Sequence, residues 1–168
     1  MRAGLLGAVA FAVALAWFVR GRALAIVSCA DIGRNAVVVD TTAHVAALCE
    51  AGTSVATFSV RLGRHGVGKA REGDGKTPLG RYALGPARPS ASYRTFVPIG
   101  YPTDAQRASG LTGGAIGLHG PDRRVRWAGS WVNAFDTTDG CVGLATDEEM
   151  ARVVEWTKRT HAGDIILR

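Results

Sequence analysis

The stretch TTDGCVGL, Thr137–Leu144, places one cysteine between a glycine and a short apolar run. Gly140 permits a sharp backbone bend, and the residues after Cys141 are typical of a short buried strand. About twenty residues upstream, the stretch GLHG at Gly117–Gly120 ends a second apolar run on a histidine. A thiolate is the nucleophilic form of cysteine, and a neighbouring imidazole lowers the thiol pKa and accepts its proton. The two stretches therefore suggest a cysteine nucleophile with its base, each placed at a strand-like step.

A buried structural cysteine fits the same local pattern, and this alternative stays open. Among the four histidines, only His119 lies between small residues at the end of an apolar run, as a positioned base should. The others are expected on a strand face (His44), in a loop (His65) and in the turn that ends a helix (His161). The sequence has no G-x-S-x-G elbow and no Walker loop, which argues against a serine hydrolase and a P-loop enzyme.

The length and composition of the chain limit its possible architectures and binding partners. A chain of 168 residues, 47% of them hydrophobic, fits one domain with a real core, and 22 glycines among 6 prolines favour turn-rich β structure. The net charge is +6, but Arg2, Arg20 and Arg22 account for half of it. No stripe of Lys and Arg interleaved with aromatics appears, so no nucleic-acid partner is expected. The sequence has no Cys-x-x-Cys pair and no tight His, Cys and carboxylate cluster, which argues against a metal site.

Residues 1–28 are predicted to be a secretory signal peptide or an uncleaved membrane anchor. Ala3–Val19 carries no charge, and Arg2 supplies a basic start. Ala23–Ala25 offers a small-x-small cleavage site, whereas the seventeen uncharged residues 3–19 also reach the lower limit of a membrane span. Both alternatives predict export, and both leave a single domain at 29–168.

The three cysteines allow two arrangements in an exported protein. In one, Cys29 and Cys49 form a disulfide and leave Cys141 as the free thiol. In the other, Cys49 is buried in a strand and Cys29 lies in a frayed terminus. The sequence leaves both open.

Hydrophobic patterns predict a mainly β domain with one clear helix. Short strands are expected over seven segments: Ala36–Asp40, His44–Cys49, Val55–Val60, Arg81–Leu84, Phe96–Gly100, Ala115–Leu118 and Ile165–Leu167. The glycine- and charge-rich segment His65–Gly75 is expected to be a surface loop without a core. Thr146 followed by Glu149 has the pattern of a capping box, which predicts a helix beginning there.

Three separated motifs resemble those of YkuD-type L,D-transpeptidase catalytic domains, cysteine enzymes that remodel bacterial peptidoglycan. Arg71–Tyr82, REGDGKTPLGRY, is similar to the family's R-E-G-D-G-x-T-P-x-G-x-Y stretch. Gly117–Gly120 resembles its I-x-I-H-G motif, and Thr138–Val142 resembles its S/T-x-G-C-I/V motif. The helix and the closing strand follow in the family's order, so the resemblance covers about 36–168. It implies a mixed β barrel or sandwich with one flanking α-helix.

The resemblance implies a role for each matching residue. Cys141 becomes the nucleophile and His119 the base, the backbone around Gly140 forms the oxyanion hole, and the carbonyl of Gly120 orients the imidazole. Asp139 stands where the common motif has histidine. It is expected either to steady His119 as an imidazolium or to hydrogen-bond within its loop. One branch of the family carries the same T-D-G-C sequence, so this aspartate is compatible with activity.

Substrate contacts are expected from the first motif and from the loops near the nucleophile. Arg71 and Lys76 are candidates for binding stem-peptide carboxylates, although each also fits an ordinary solvated charge. Thr138 is assigned to substrate binding beside the nucleophile, and Trp127 either lines the cleft or packs its own loop. A second departure from the family pattern is Gly143, where arginine or asparagine is common.

The implied reaction is acyl transfer on peptidoglycan stem peptides, with no metal or organic cofactor. The Cys141 thiolate attacks the carbonyl after the L-centre of a diamino acid in a tetrapeptide stem, releases the terminal D-residue and leaves a thioester. An amine then forms a cross-link, or water completes a hydrolysis, as in an L,D-carboxypeptidase or amidase. An inactive peptidoglycan-binding domain is a further alternative, prompted by Asp139 and Gly143. Location in the periplasm or cell envelope, membrane anchoring through residues 3–19, an effect on cell shape and inhibition by carbapenems are further expectations.

Overall fold

The computed structural model describes residues 27–168, so the predicted signal peptide or anchor at 1–28 lies almost wholly outside the described residues. The described chain forms nine strands: β1 (Ala36–Asp40), β2 (Val45–Glu50), β3 (Thr53–Arg61), β4 (Gly80–Ala83), β5 (Arg88–Ser90), β6 (Arg94–Pro98), β7 (Gly117–His119), β8 (Val142–Leu144) and β9 (Asp164–Leu167). It also forms two α-helices and a 3₁₀ helix: α1 (Asp104–Ala108), α2 (Asp147–Thr160) and Arg126–Asn133. Within residues 27–168, no helix is long and apolar enough to cross a bilayer.

All nine strands belong to one mixed sheet in the order β4-β9-β1-β2-β3-β8-β7-β6-β5. Two neighbouring pairs are parallel, β1 with β9 and β7 with β8, and the other pairs are antiparallel. The sheet curls on itself: Leu84, just after β4, forms a bridge with Ile99, just after β6. Hydrogen bonds from Gly85 to Pro98 and from Gly100 to Ala83 strengthen this contact between the two ends of the sheet.

The main core fills the inside of the curled sheet. Buried side chains of β1, β2, β3, β7, β8 and β9 meet there, and Met150, Val153 and Trp156 of α2 pack onto them. Helix α2 begins as its sequence predicts, since the Thr146 hydroxyl accepts the Glu149 amide and the Glu149 carboxylate accepts the Thr146 amide. The predicted fold class, a mainly β mixed barrel or sandwich with one flanking helix, is confirmed.

A second, smaller core covers the outer face of β1, β2 and β9. Alternate residues of β1 belong to different cores, so both faces of this strand are buried. The segment before β1 covers this face with the side chains of Val27 and Ile32. Cys29 of the same segment forms a disulfide with Cys49 of β2. Cys29 is therefore tied down rather than frayed, and Cys141 is the free cysteine of the described chain.

Two segments differ from the sequence-based expectation. The segment His65–Gly75 is a loop, but it is not solvated throughout, because the side chains of Lys69 and Asp74 are buried in it as an ion pair of 2.8 Å. The loop between His119 and Cys141 contains the 3₁₀ helix, which is kinked at Gly129. No apolar periodicity indicated either feature.

Candidate active site

Parallel pairing of β7 with β8 brings the predicted nucleophile and base to neighbouring strands. Leu118 pairs with Val142, and His119 pairs with Gly143. Cys141, one residue before β8, therefore lies two positions behind His119 along the shared ladder. Because side chains alternate between the faces of a sheet, positions two apart project from the same face. The sequence-predicted pair thus shares one face of the sheet.

His119 ends β7 as a buried imidazole with one nitrogen engaged. Its Nδ1 lies 2.7 Å from the carbonyl oxygen of Gly120, and only 2% of the residue is exposed. A carbonyl only accepts hydrogen bonds, so Nδ1 carries the proton and Nε2 offers its lone pair. Nε2 is buried without a hydrogen-bond partner in the described chain. The predicted orienting contact of Gly120 is present in the structure.

Burial keeps this imidazole uncharged. It lowers the pKa of His119 to about 4, against the opposing effect of the Gly120 hydrogen bond, and the positive charge of Arg61 lowers the pKa further. The ring is covered by Tyr93, whose centroid lies 3.7 Å away at an interplanar angle of 19°. Tyr93 comes from the turn between β5 and β6 and has no motif around it, so sequence reasoning did not identify it.

Cys141 is partly exposed, and its thiol is also uncharged. The Sγ atom lies 3.6 Å from the carbonyl oxygen of Ala115. Burial raises the pKa of the thiol above its ordinary value of 9.0, and the negative charge of Asp139 adds to the rise. A backbone hydrogen bond from Gly117 works in the opposite direction. The thiol thus points to a backbone acceptor, and no hydrogen bond joins it to His119 in the described chain.

The turn before Cys141 is fixed by Thr138. Its hydroxyl accepts the amide of Gly140 at 3.1 Å and donates to the carbonyl of Cys141 at 2.7 Å. Gly140 has φ +122°, and a Cβ there would overlap the carbonyl oxygen of Lys76. The Gly140 amide is thus engaged within the turn, which leaves the Cys141 amide as the donor of that pair for an oxyanion.

Asp139 points away from the imidazole. Its carboxylate forms an ion pair with Arg64, and the side chain is 76% exposed. No hydrogen bond joins it to His119 in the described chain. The contact with Arg64 is neither the predicted contact with His119 nor one within the loop of Asp139, because Arg64 belongs to the segment after β3.

The remaining predicted substrate residues lie at two other places. Arg71 and Lys76 line a cavity of about 490 Å³ together with Asp74. Trp127 is 82% exposed in the 3₁₀ helix, and its indole N–H donates to the carbonyl of Arg124. Neither group reaches the imidazole, so their contacts with a substrate stay predictions.

A separate cavity of about 260 Å³ adjoins His119 directly. Its polar wall consists of Arg61, Tyr93, His119 and Thr138, and its apolar wall comes largely from the 3₁₀ helix. Arg61 of β3 is a site residue that sequence reasoning missed. It donates to the carbonyl of Gly120 at 3.3 Å, the same oxygen that holds the imidazole. Across residues 27–168, no three His, Cys, Asp or Glu side chains are grouped to hold a metal ion.

This combination of fold and site defines a known class of protein. The model of the YkuD family, the L,D-transpeptidase catalytic domain, matches residues 34–165, and the chain belongs to this family. No curated protein matches the chain in sequence.

Solved structures share the fold. The helical cell shape determining protein Pgp2 from Campylobacter jejuni has a TM-score of 0.65 at 23% identity, over 84% of this chain and 49% of that one. Bd1075 of Bdellovibrio bacteriovorus has a TM-score of 0.59 at 17% identity, over 81% and 47%. An L,D-transpeptidase from Mycobacterium smegmatis has a TM-score of 0.51 at 13% identity, over 80% and 58%. This chain spans about half the length of the first two.

Proposed function

We propose that this protein is an L,D-transpeptidase that acts on peptidoglycan stem tetrapeptides through a thioester on Cys141. The observation that carries the proposal is His119, whose Nδ1 is held by Gly120 while Nε2 is left free and buried on the strand beside the nucleophile. A base needs a fixed tautomer and an available lone pair, and this imidazole has both.

The reaction begins from two neutral groups. As Sγ of Cys141 attacks the carbonyl carbon, its proton passes to Nε2 of His119, and the Cys141 amide donates to the developing oxyanion. The C–N bond then breaks, and Nε2 returns the proton to the departing amine of the terminal D-residue. An amine attacks the thioester next, gives its proton to Nε2 and forms the new amide. Sulfur leaves with that proton as the thiol.

Water in place of the amine would make the same site an L,D-carboxypeptidase or amidase. The present geometry serves both acceptors, because the acceptor enters after the thioester has formed. A domain that only binds peptidoglycan is the third candidate. We place the protein in the periplasm or cell envelope, where this substrate occurs.

The test is turnover of purified tetrapeptide muropeptides, read by mass spectrometry. We expect the wild-type protein to yield cross-linked dimers, and Cys141→Ala and His119→Gln to lower the rate by at least about a thousandfold. If trimmed tripeptide were the sole product, the protein would be a hydrolase rather than a transpeptidase. Equal behaviour of wild type and Cys141→Ala would show that the domain is not an enzyme of this kind.

Covalent labelling locates the nucleophile without a peptide substrate. An L,D-transpeptidase from Mycobacterium tuberculosis with this fold has been solved with a faropenem-derived adduct. We expect a faropenem or carbapenem adduct on the intact protein that maps to Cys141 and disappears in Cys141→Ala. Labelling at another residue, or no labelling at all, would count against Cys141 as the nucleophile.

A further inference from the structure

Arg61 at the end of β3 is a buried cation without an anion. Only 4% of the residue is exposed. Within the described chain it forms no ion pair, and the negative charge of Asp122 acts on it only from beyond ion-pair distance. Buried charges are costly unless they are paired, so an unpaired guanidinium beside a reactive centre indicates a ligand of opposite charge.

The protein's own acceptors use only part of this guanidinium. Nη1 donates to Oδ1 of Asn133 at 2.9 Å and to the carbonyl of Leu144 at 3.1 Å, and Nη2 donates to the carbonyl of Gly120 at 3.3 Å. A guanidinium has five N–H groups. In the described chain, the Nε–H and one Nη2 N–H have no acceptor. All the acceptors in hydrogen-bond contact are neutral, so the positive charge has no directly bonded anion.

The absence of a side chain at Gly143 leaves room for the guanidinium of Arg61. The two residues pair across β3 and β8, and a Cβ on Gly143 would lie 2.6 Å from Cζ and 2.7 Å from Nε of Arg61. Any side chain at 143 would displace the guanidinium. The glycine at 143 therefore leaves the space that the guanidinium occupies.

The proposed reaction determines which part of the substrate lies next to the imidazole of His119. His119 returns its proton to the departing amine, so the leaving residue must lie against the imidazole. His119 and Arg61 line the same cavity of about 260 Å³, which is the space next to the imidazole that the structure offers for this residue. In a C-terminal leaving residue, the carboxylate carbon is two bonds from the amine nitrogen. Because Arg61 and His119 share both this cavity and the Gly120 carbonyl, a carboxylate so close to the departing nitrogen would lie near the guanidinium.

We propose that Arg61 binds the α-carboxylate of the C-terminal residue that leaves during the reaction, and so selects stem peptides with a free carboxyl end. This inference rests on the proposed function and adds a specificity residue to it. A peptide with no free carboxylate at that position leaves the guanidinium unpaired and is bound weakly.

The test measures binding rather than turnover. In the Cys141→Ala background, calorimetry compares a stem tetrapeptide that ends in D-alanine with the same peptide carrying a C-terminal carboxamide. We expect the carboxamide to bind about tenfold more weakly or worse, since hydrogen bonds to charged groups are the strong ones. Arg61→Met should bind both peptides with the weaker affinity, and Arg61→Lys should retain part of the difference. Arg107→Met removes an exposed arginine of α1 and should retain all of it.

The outcomes separate the two proposals. Equal affinity for both peptides in the protein that retains Arg61 would overturn the role of Arg61 and leave the proposed function intact. Binding of neither peptide would overturn the proposed function and this inference with it. A purely structural role for Arg61 predicts weaker binding of both peptides in Arg61→Met with their ratio unchanged. If Arg61→Met does not fold, the affinity ratio of the two peptides, compared between the parent protein and Arg61→Lys, decides.

Discussion

The candidate nucleophile and base are both neutral, although many cysteine enzymes use a thiolate–imidazolium pair. Burial raises the pKa of Cys141 and lowers that of His119 to about 4, so at neutral pH the proton resides on sulfur. Such a pair transfers its proton during the attack. We therefore expect the free thiol to react slowly with oxidants and alkylating agents at neutral pH.

This neutrality predicts the pH dependence of Cys141 alkylation. The reactive thiolate appears only as pH rises through the raised pKa, so the rate with iodoacetamide should climb in one step above pH 9.0. His119→Gln should leave the shape of that curve unchanged. A plateau of reactivity between about pH 5 and 8 would instead show a thiolate–imidazolium pair. The rate is measured by intact mass, with wild type and variant followed in parallel.

At the residue scale, the sequence indicated candidates where they lie in a motif, and their catalytic roles stay predictions. Cys141, His119 and Gly120 come from short stretches with distinctive neighbours, and the structure places them together. Tyr93 and Arg61 lie elsewhere in the chain, in stretches with ordinary composition. They reach the site only because the sheet places β3 next to β8 and the β5–β6 turn next to β7, and one sequence does not reveal such contacts.

At the scale of elements, the loop from Arg64 to Lys76 is built around one carboxylate. Asp74 accepts the side chain of Lys69 and the amides of Ala70, Arg71 and Lys76 at distances from 2.8 to 3.1 Å. Burial alone would raise the pKa of Asp74, but these hydrogen bonds outweigh it and hold the pKa well below its ordinary value of 3.8. The charged residues of the R-E-G-D-G motif therefore include a structural one.

We expect Asp74→Asn to destabilise the protein by about 2–3 kcal/mol at pH 7, because an amide group would face backbone donors in place of an acceptor oxygen. The folded state lowers the pKa of Asp74, so its contribution is complete above about pH 4 and is lost as the pH falls further. The difference from wild type should shrink over that range. Urea unfolding at several pH values measures it, and Asp104→Asn, at a fully exposed carboxylate, serves as the matched control. A constant difference at all pH values would show that the charge is not the cause.

Elements with a clear hydrophobic period were predictable, and those without one were not. Strands β1 and β2 are apolar except for the acidic residue that ends each, and α2 has a capping box followed by buried residues at helical spacing. Strand β5, Arg88–Ser90, is short, polar and contains proline, so only its pairing with β6 defines it. The 3₁₀ helix is held by Asn133, which donates to the carbonyl of Ser59 on β3, a contact that no local pattern indicates.

For the whole molecule, the disulfide fixes the segment that covers the outer core. Cys29 and Cys49 are 20 residues apart, and a cross-link closing such a loop is worth about 3 kcal/mol in the chain-entropy model. We expect the Cys29→Ser/Cys49→Ser double variant to lose about that free energy of unfolding and to melt at lower temperature. A two-hydrogen mass difference on reduction confirms the bond in the wild type, and Cys141→Ser should retain it. Equal stability of reduced and oxidised wild type would contradict the prediction.

The overall fold was predictable because the motifs resemble a family with a known architecture. Strand periodicity alone indicated a mainly β domain without a strand order. Strand β9 lies between β1, to which it is parallel, and β4, to which it is antiparallel, so its pairing with β1 joins opposite ends of the described chain. Such long-range pairing has no local signal, so only the family resemblance implied it.

Synthesis presents the three cysteines in a fixed order. Cys29 and Cys49 leave the ribosome long before Cys141, and β1 can pair with β2 as soon as both have emerged. If the chain enters an oxidising compartment with its amino end first, Cys29 and Cys49 can form their disulfide before Cys141 arrives. In that setting the order of the chain would favour the Cys29–Cys49 bond, and a circular permutant that begins after β3 is expected to form more disulfides with Cys141.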